Sequence, residues 1–257
     1  MEPSKHSASL DLRPFGLLGL GVALVLATYI ASSTWERVRV RPQVRTIQVT
    51  GSAKKRIVSD FIEWTATVEA SAGGRTEAYR ALHDNAKRTE EFLIKAGVPK
   101  DQIWLSSASV DPSYETHYHG TGDNRIEKQV LVGYDTMQEI KVRSSDVALV
   151  EKMSREVTEL LEQGVTVSSD APEYFYTKLG DVKIEMLAEA SRDARTRAEN
   201  IVASAGGAEI GALRTADMGV INVNPANSTA SAWDGNNDTS SLEKDIITIV
   251  HATFELK

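Results

Sequence analysis

The chain of 257 residues has no cysteine. Disulfide frameworks, thiolate metal sites and a cysteine nucleophile are excluded together, although a cysteine-free chain suits the cytosol and an oxidising compartment alike. G-x-S-x-G, G-x-x-x-x-G-K-[ST] and H-E-x-x-H are also missing, so no nucleophile elbow, phosphate-cradling loop or zinc-protease helix is written into the sequence. Nothing nominates a catalytic residue or a cofactor site, and the reading is of a protein that is not an enzyme. Positive charge is scarce where it would matter for nucleic acid. The net charge is −7; residues 1–33 balance Glu2 and Asp11 against Lys5 and Arg13, and residues 34–58 set seven basic side chains against Glu36, leaving −13 on residues 59–257. A body that acidic repels phosphate backbones, which excludes nucleic acid as a partner. With 41% hydrophobic and 25% charged residues the chain still has the composition of a folded protein, not a disordered one.

Between Arg13 and Glu36 no residue is charged. As a helix, residues 14–35 would rise roughly 33 Å, enough to cross a hydrocarbon core, with Pro14 at the start and Trp35 at the interface. A cleaved signal peptide competes, but the apolar run is long for one and Ala31-Ser32-Ser33 is a mediocre cleavage site. The reading adopted is one transmembrane anchor over 14–35, after a tail at 1–13 and before a basic linker at 36–43. Gly19, Ala23, Ala27 and Ala31 recur every four residues and line one face, a pattern that lets membrane helices approach closely, so they are candidates for self-association. Arg37, Arg39 and Arg41 are candidates for contact with anionic lipid headgroups. Arginines outnumber the basic residues before the span, which by the charge rule places the body in the cytoplasm.

From 44 onward the pattern is that of a mixed α+β body. Residues 44–50 alternate as a strand. Residues 60–70 alternate most clearly, with Ile62, Trp64, Ala66, Val68 and Ala70 on one face and Phe61 on the polar one, which makes Phe61 a candidate contact in an assembly. A helix is expected over 76–96 and a strand over 103–110. A long strand over 127–143, a helix over 146–161 and a strand over 165–176 repeat the pattern. Two strand–helix–strand units follow, each wanting its strands parallel in one sheet. A long helix over 181–205 carries an alanine-rich stripe of Ile184, Leu187, Ala188, Ser191, Ala194, Ala198, Ile201, Val202 and Ala205. Strands at 210–223 and 244–256 close the chain around a polar stretch at 224–242, read as a mobile surface loop that carries Trp233.

One constellation invites a chemical reading. In an extended chain His117 and His119 point the same way and, with Asp123, could hold a metal; the alternative is a polar loop or hairpin tip ahead of Gly120 and Gly122, and that alternative is preferred.

Val49-Thr50-Gly51-Ser52-Ala53, followed by Asp60 opening a strand that ends in Val68-Glu69, resembles the N-terminal signature of SIMPL-domain proteins. Val132-Gly133-Tyr134 before Glu139-Ile140-Lys141-Val142 is similar to their middle signature, and the helix with Ala188, Ala190, Ala194, Ala198 and Ala205-Gly206 to their alanine-rich segment. Ser59 departs from the proline often found before the aspartate. The resemblance, over about residues 44–257, implies a mixed α/β fold, an envelope location in bacterial members, large hollow homo-oligomers in some and a link to oxidative stress in others. It supplies no catalytic residues. It also implies export, so the body is expected outside the inner membrane despite the arginines, since long translocated domains partly escape the charge rule. The expected partners are further copies of the chain and the lipid bilayer; the alternative is an envelope module that binds a small ligand or metal.

Overall fold

A computed structural model of the chain describes residues 13–39, 45–119, 125–230 and 232–257, with the side chains of the first helix described over 22–35. That helix, α1 (Arg13–Arg39), contains the expected span. Among the described residues no helix is long and apolar enough to cross a membrane; the stretch 22–35 alone rises about 21 Å against a hydrocarbon core of about 30 Å.

The body has two sheets joined by a continuous run of strand. β1 (Thr46–Val58) belongs to one sheet, β2 (Phe61–Ala72) to the other, and only Ser59 and Asp60 separate them. That joint is bolted from two sides. Ser59 N donates to Leu242 O at 2.9 Å and Asp60 N to Phe175 O at 3.0 Å, while the Asp60 carboxylate accepts from Thr177 N and Oγ1, both at 2.7 Å.

After β2 come α2 (Arg75–Lys95), β3 (Ile103–Leu105), β4 (Ser109–His119), β5 (Ile126–Ser144), α3 (Val147–Glu156), β6 (Thr166–Ser169) and β7 (Glu173–Phe175). The sheet order is β3-β5-β2-β6, all pairs antiparallel, with β4 continuing along the β3 edge of β5 and β7 along the β6 edge of β2. The strands of each expected unit do run parallel, but one antiparallel strand lies between them in both cases. This is the split β-α-β-β-α-β arrangement, in which each helix crosses over one intervening strand. The expected strand at 165–176 is broken, because Pro172 cannot donate to a ladder and Asp170 N turns to Thr65 O at 3.0 Å. The expected helix over 146–161 loosens after Glu156 into a 3-10 segment, Val157–Gln163, which Gly164 ends at φ +76°.

The alternation read in the sequence is the core. Ile62, Trp64, Ala66 and Val68 are buried and pack with Leu82, Leu93, Met153 and Leu160 under α2 and α3. Each large side chain of this kind contributes roughly 1.5–3 kcal/mol on burial. Phe61, on the other face, is half-buried opposite Phe175.

The second sheet, β1-β9-β8, uses β8 (Ile210–Pro225) and β9 (Glu243–Leu256) and is covered by α4 (Leu179–Ala205). The buried line of α4 is Val182, Met186, Ala190, Ala194, Ala198 and Val202, a strict spacing of four. The expected stripe is corrected here. Ile184 and Ile201 are 71% and 52% exposed, Ala188 and Ser191 are also exposed, and Met186 and Ala190 take the inner positions. A spacing of four drifts about 40° per step around a helix with 3.6 residues per turn, so the buried line winds round the helix. A straight stripe cannot follow a twisted sheet, and this one does.

Residues 226–242 form the irregular connection between β8 and β9 that composition predicts, and its base is tied by buried asparagines. Asn224 is fully buried; its Nδ2 donates to Ala230 O at 2.6 Å and its Oδ1 accepts from Asn236 Nδ2 at 2.8 Å, while Asn222 Oδ1 accepts from Ala232 N at 3.1 Å. Leu242 packs against the first core, while Trp233 is 90% exposed. Asn224→Ala is expected to cost about 1–3 kcal/mol, because it orphans buried backbone and amide groups. It should also open residues 226–241 to limited proteolysis; a melt and a mass map of the fragments check both.

Candidate functional site

The long hairpin of β4 and β5 outgrows its sheet. Pairing with β2 ends at Ala72 opposite Tyr134, so residues 114–119 and 126–131 pair only with each other. Two devices set the exit. A register shift between Ser113 and Tyr114 leaves Val132 unpaired as a bulge, and Gly133 sits where a Cβ would come 2.7 Å from Ala72 O. Bulges of this kind bend a strand and re-aim it. The ribbon beyond them carries apolar side chains on both faces. Tyr114, Tyr118 and Leu131 share one face, Ile126 and Val130 the other, and the exposures of Tyr118, Ile126 and Leu131 are 53%, 68% and 47%. Arg125 stacks over Tyr118 at 3.8 Å.

His117 and His119 lie on the second face of this ribbon, exposed, in a strand arm and not at a tip. His117 Nε2 is 3.4 Å from Glu115 Oε2 and stands opposite Lys128. Asp123 lies outside the described residues, and no group of three potential metal ligands occurs among those described. At the foot of the ribbon a hollow of about 340 Å³ is lined by Glu69, Asp111 and Asp135. Bonds from Ser71 and Ser113 hold the Asp135 carboxyl below its ordinary value.

The other candidates fall as follows. Ala23, Ala27 and Ala31 lie on α1, where they are exposed; Gly19 lies on the same helix one step earlier. Arg37 and Arg39 belong to its last turn, and Arg41 lies outside the described residues.

Two polar centres went unread in the sequence. Asp245, fully buried, accepts from Arg56 through both oxygens at 2.9 and 3.2 Å and from Asn227 N at 2.8 Å, and pairs with Lys54 at 3.0 Å. The Arg56 bond, helped by Asn227 and Lys54 and opposed by burial, pushes its carboxyl far below the carboxylate range. Beside it Lys244 is 2% exposed; its Nζ donates to Tyr174 O at 2.7 Å and to Asp238 O, tying the two sheets together. Burial lowers the Lys244 pKa, opposed by the Asp238 charge. A cavity of about 60 Å³ beside it has room for a few waters. The signal was present: three consecutive charged residues, Glu243 to Asp245, open the strand, and alternation alone cannot place all three outside.

The motif at 49–53 is explained by α4. A Cβ on Gly51 would lie 2.1 Å from Ala190 O, so glycine admits the helix backbone onto β1. Next to it Ser52 N donates to Asp193 Oδ2 at 2.8 Å, and Arg197 reaches the same carboxylate at 2.8 Å. Ser52 first, then Arg197, depress the Asp193 pKa against the effect of burial.

Compared with known proteins, residues 47–250 match the family model SIMPL, described as a protein of unknown function (DUF541). No curated protein matches the chain.

Proposed function

The chain belongs to the SIMPL family, and on that premise we propose that it is a non-catalytic, membrane-anchored extracytoplasmic protein whose body self-assembles into a large homo-oligomer, a ring, cage or channel-like shell, in envelope or oxidative-stress protection. The observation that carries this reading is the projecting ribbon. A two-stranded ribbon is at best marginally stable alone in water, and one with exposed apolar side chains on both faces gains from being covered. Further copies of the chain offer the same ribbon, and head-to-tail contacts that cover one face with one neighbour and the other face with the next close into a ring. Placement on the membrane is supported by the uncharged stretch 14–35 within α1 and by exposed Leu24, Val25, Tyr29, Ile30 and Trp35. Gly19, Ala23, Ala27 and Ala31 would add helix–helix packing there, and Arg37, Arg39 and Arg41 would meet anionic headgroups.

The test is the mass of the full-length protein in mild detergent, beside a chain starting at Val44 and beside Ile126→Asp with Leu131→Asp. The parent and the shortened chain are expected to be large and discrete, and the ribbon variant to fall to a monomer or dimer with its melting temperature nearly unchanged. A parent that runs as a monomer overturns the assembly reading. A large parent beside a small shortened chain moves the driving contact from the ribbon to α1.

A further inference from the structure

The way α4 is seated leaves the middle of the third strand of its sheet uncovered. Gly51 draws the helix down onto β1, and its buried line also meets β9 through Ala194, Ala198, Ala252 and Phe254. Val223 of β8 packs under the helix with Val182 and Met186, but Leu213 and Met218 are 53% and 66% exposed. Between the flank of α4 and β8 runs a groove of about 230 Å³. Val250, Ala252 and Phe254 form its floor and Leu213 and Ala216 its far wall. The near wall is helical and is lined by Ser191, Arg192 and Arg195.

These two arginines are not equivalent. Arg195 Nε is held by Glu199 at 2.8 Å, one turn on. Arg192 donates only from Nε to Ala188 O at 3.3 Å, and among the described residues no carboxylate lies within 4.0 Å of it. In a body carrying −13 from residue 59 onward, an unpaired guanidinium above an apolar trough is a specific arrangement. It offers one bidentate anion contact and a dry surface, and little else.

From this we infer that the groove is a binding site for a single-chain carboxylate amphiphile, a medium-chain fatty acid anion, with its carboxylate on Arg192 and its alkyl chain along Leu213, Val250 and Phe254. The volume lies below the range of drug-sized ligand pockets, which favours one narrow chain over a ring system. Sugars and nucleotides need several convergent hydrogen-bonding groups, and the floor and far wall provide none. The body as a whole is acidic, and Arg192 gives this apolar groove the local positive charge that a carboxylate needs there. The inference is independent of the assembly reading, since the ribbon and the groove lie on different sheets.

The test is photo-crosslinking of the full-length protein, in membranes, with decanoic acid bearing a diazirine on its chain and with the corresponding decanol. Labelled peptides are mapped by mass spectrometry, with labelling elsewhere in the chain as the internal reference. Decanoate is expected to label peptides spanning 191–195, 213–216 and 250–254. Arg192→Gln should reduce that labelling about tenfold relative to the reference, the size of a lost hydrogen bond to a charged group. Ala216→Trp, which fills the groove from an exposed strand position, should abolish it. Both variants should keep the parent's circular dichroism and melting temperature. Equal labelling by decanol, or groove labelling unchanged in both variants, overturns the inference. Competition by lysophosphatidate at lower concentration than by decanoate overturns the choice of a carboxylate head.

Discussion

Gly51→Ala is expected to lower the melting temperature of the body by about 6–12 °C. The added Cβ would lie 2.1 Å from Ala190 O, 2.5 Å from Ala194 N and 2.6 Å from Ala194 Cβ. Two of these are backbone atoms in the middle of a helix, so no rotamer change relieves them and α4 must move as a unit. Interiors packed at crystal density do not absorb such a shift locally. Overpacking typically costs 1–3 kcal/mol and sometimes more, and a backbone clash at two atoms puts this case at about 3 kcal/mol. For a body of this size each kcal/mol is worth about 2–4 °C. Gly73→Ala is the control, because nothing lies within 4 Å of its Cβ; it should change stability by less than about 0.5 kcal/mol. Adding Ala194→Gly should recover little, since it removes only the side-chain part of the clash. A Gly51→Ala melt within 2 °C of the parent would show that α4 does not sit on β1 as described.

The same contact shows what could be read without the structure. Period-two and helical patterns depend on neighbours in sequence, which is why β2, α2 and the C-terminal strands stand close to where alternation and glycine stops put them. Gly51 was legible as part of a motif, but its reason was not, because the atoms that require it are 139 and 143 residues further on. The α4 stripe was right at Ala194, Ala198 and Val202 and failed at Ile184 and Ile201 for a related cause: a straight stripe was assumed, whereas the twist of β1-β9-β8 selects every fourth residue. Composition marked the connection after β8, but not that Asn222 and Asn224 at its base face inward to satisfy the backbone of the segment that follows them. The ribbon was half visible: its strands were expected, but its escape from the sheet depends on where β2 ends. The groove could not be seen at all, since it is what remains where the helix leaves the middle of β8 uncovered.

Asp245→Asn should cost about 2–3 kcal/mol at pH 7 and progressively less in acid. The substitution keeps the shape and removes the charge that Arg56 and Lys54 share. Breaking a buried ion pair typically costs 3–5 kcal/mol; here Asp245 is fully buried but Lys54 and Arg56 keep side-chain exposures of 53% and 44%, so water relieves part of the loss. The pH dependence follows from proton counting. The folded carboxyl is held far below its ordinary value, by Arg56 above all, so on acidification the unfolded chain takes up the proton first. The contribution is therefore complete above about pH 5, begins to fall as the unfolded carboxyl titrates near pH 4, and continues to fall toward the folded value. In the variant this group no longer titrates. Asp60 and Asp193, whose values are also depressed, remain in both proteins and cancel in the difference. Chemical denaturation at pH 7, 5, 4 and 3 should show two stability curves that converge in acid. A gap of constant size from pH 7 to 3 would mean that Asp245 acts through packing alone, and that the bonds from Arg56, Lys54 and Asn227 draw nothing from its charge.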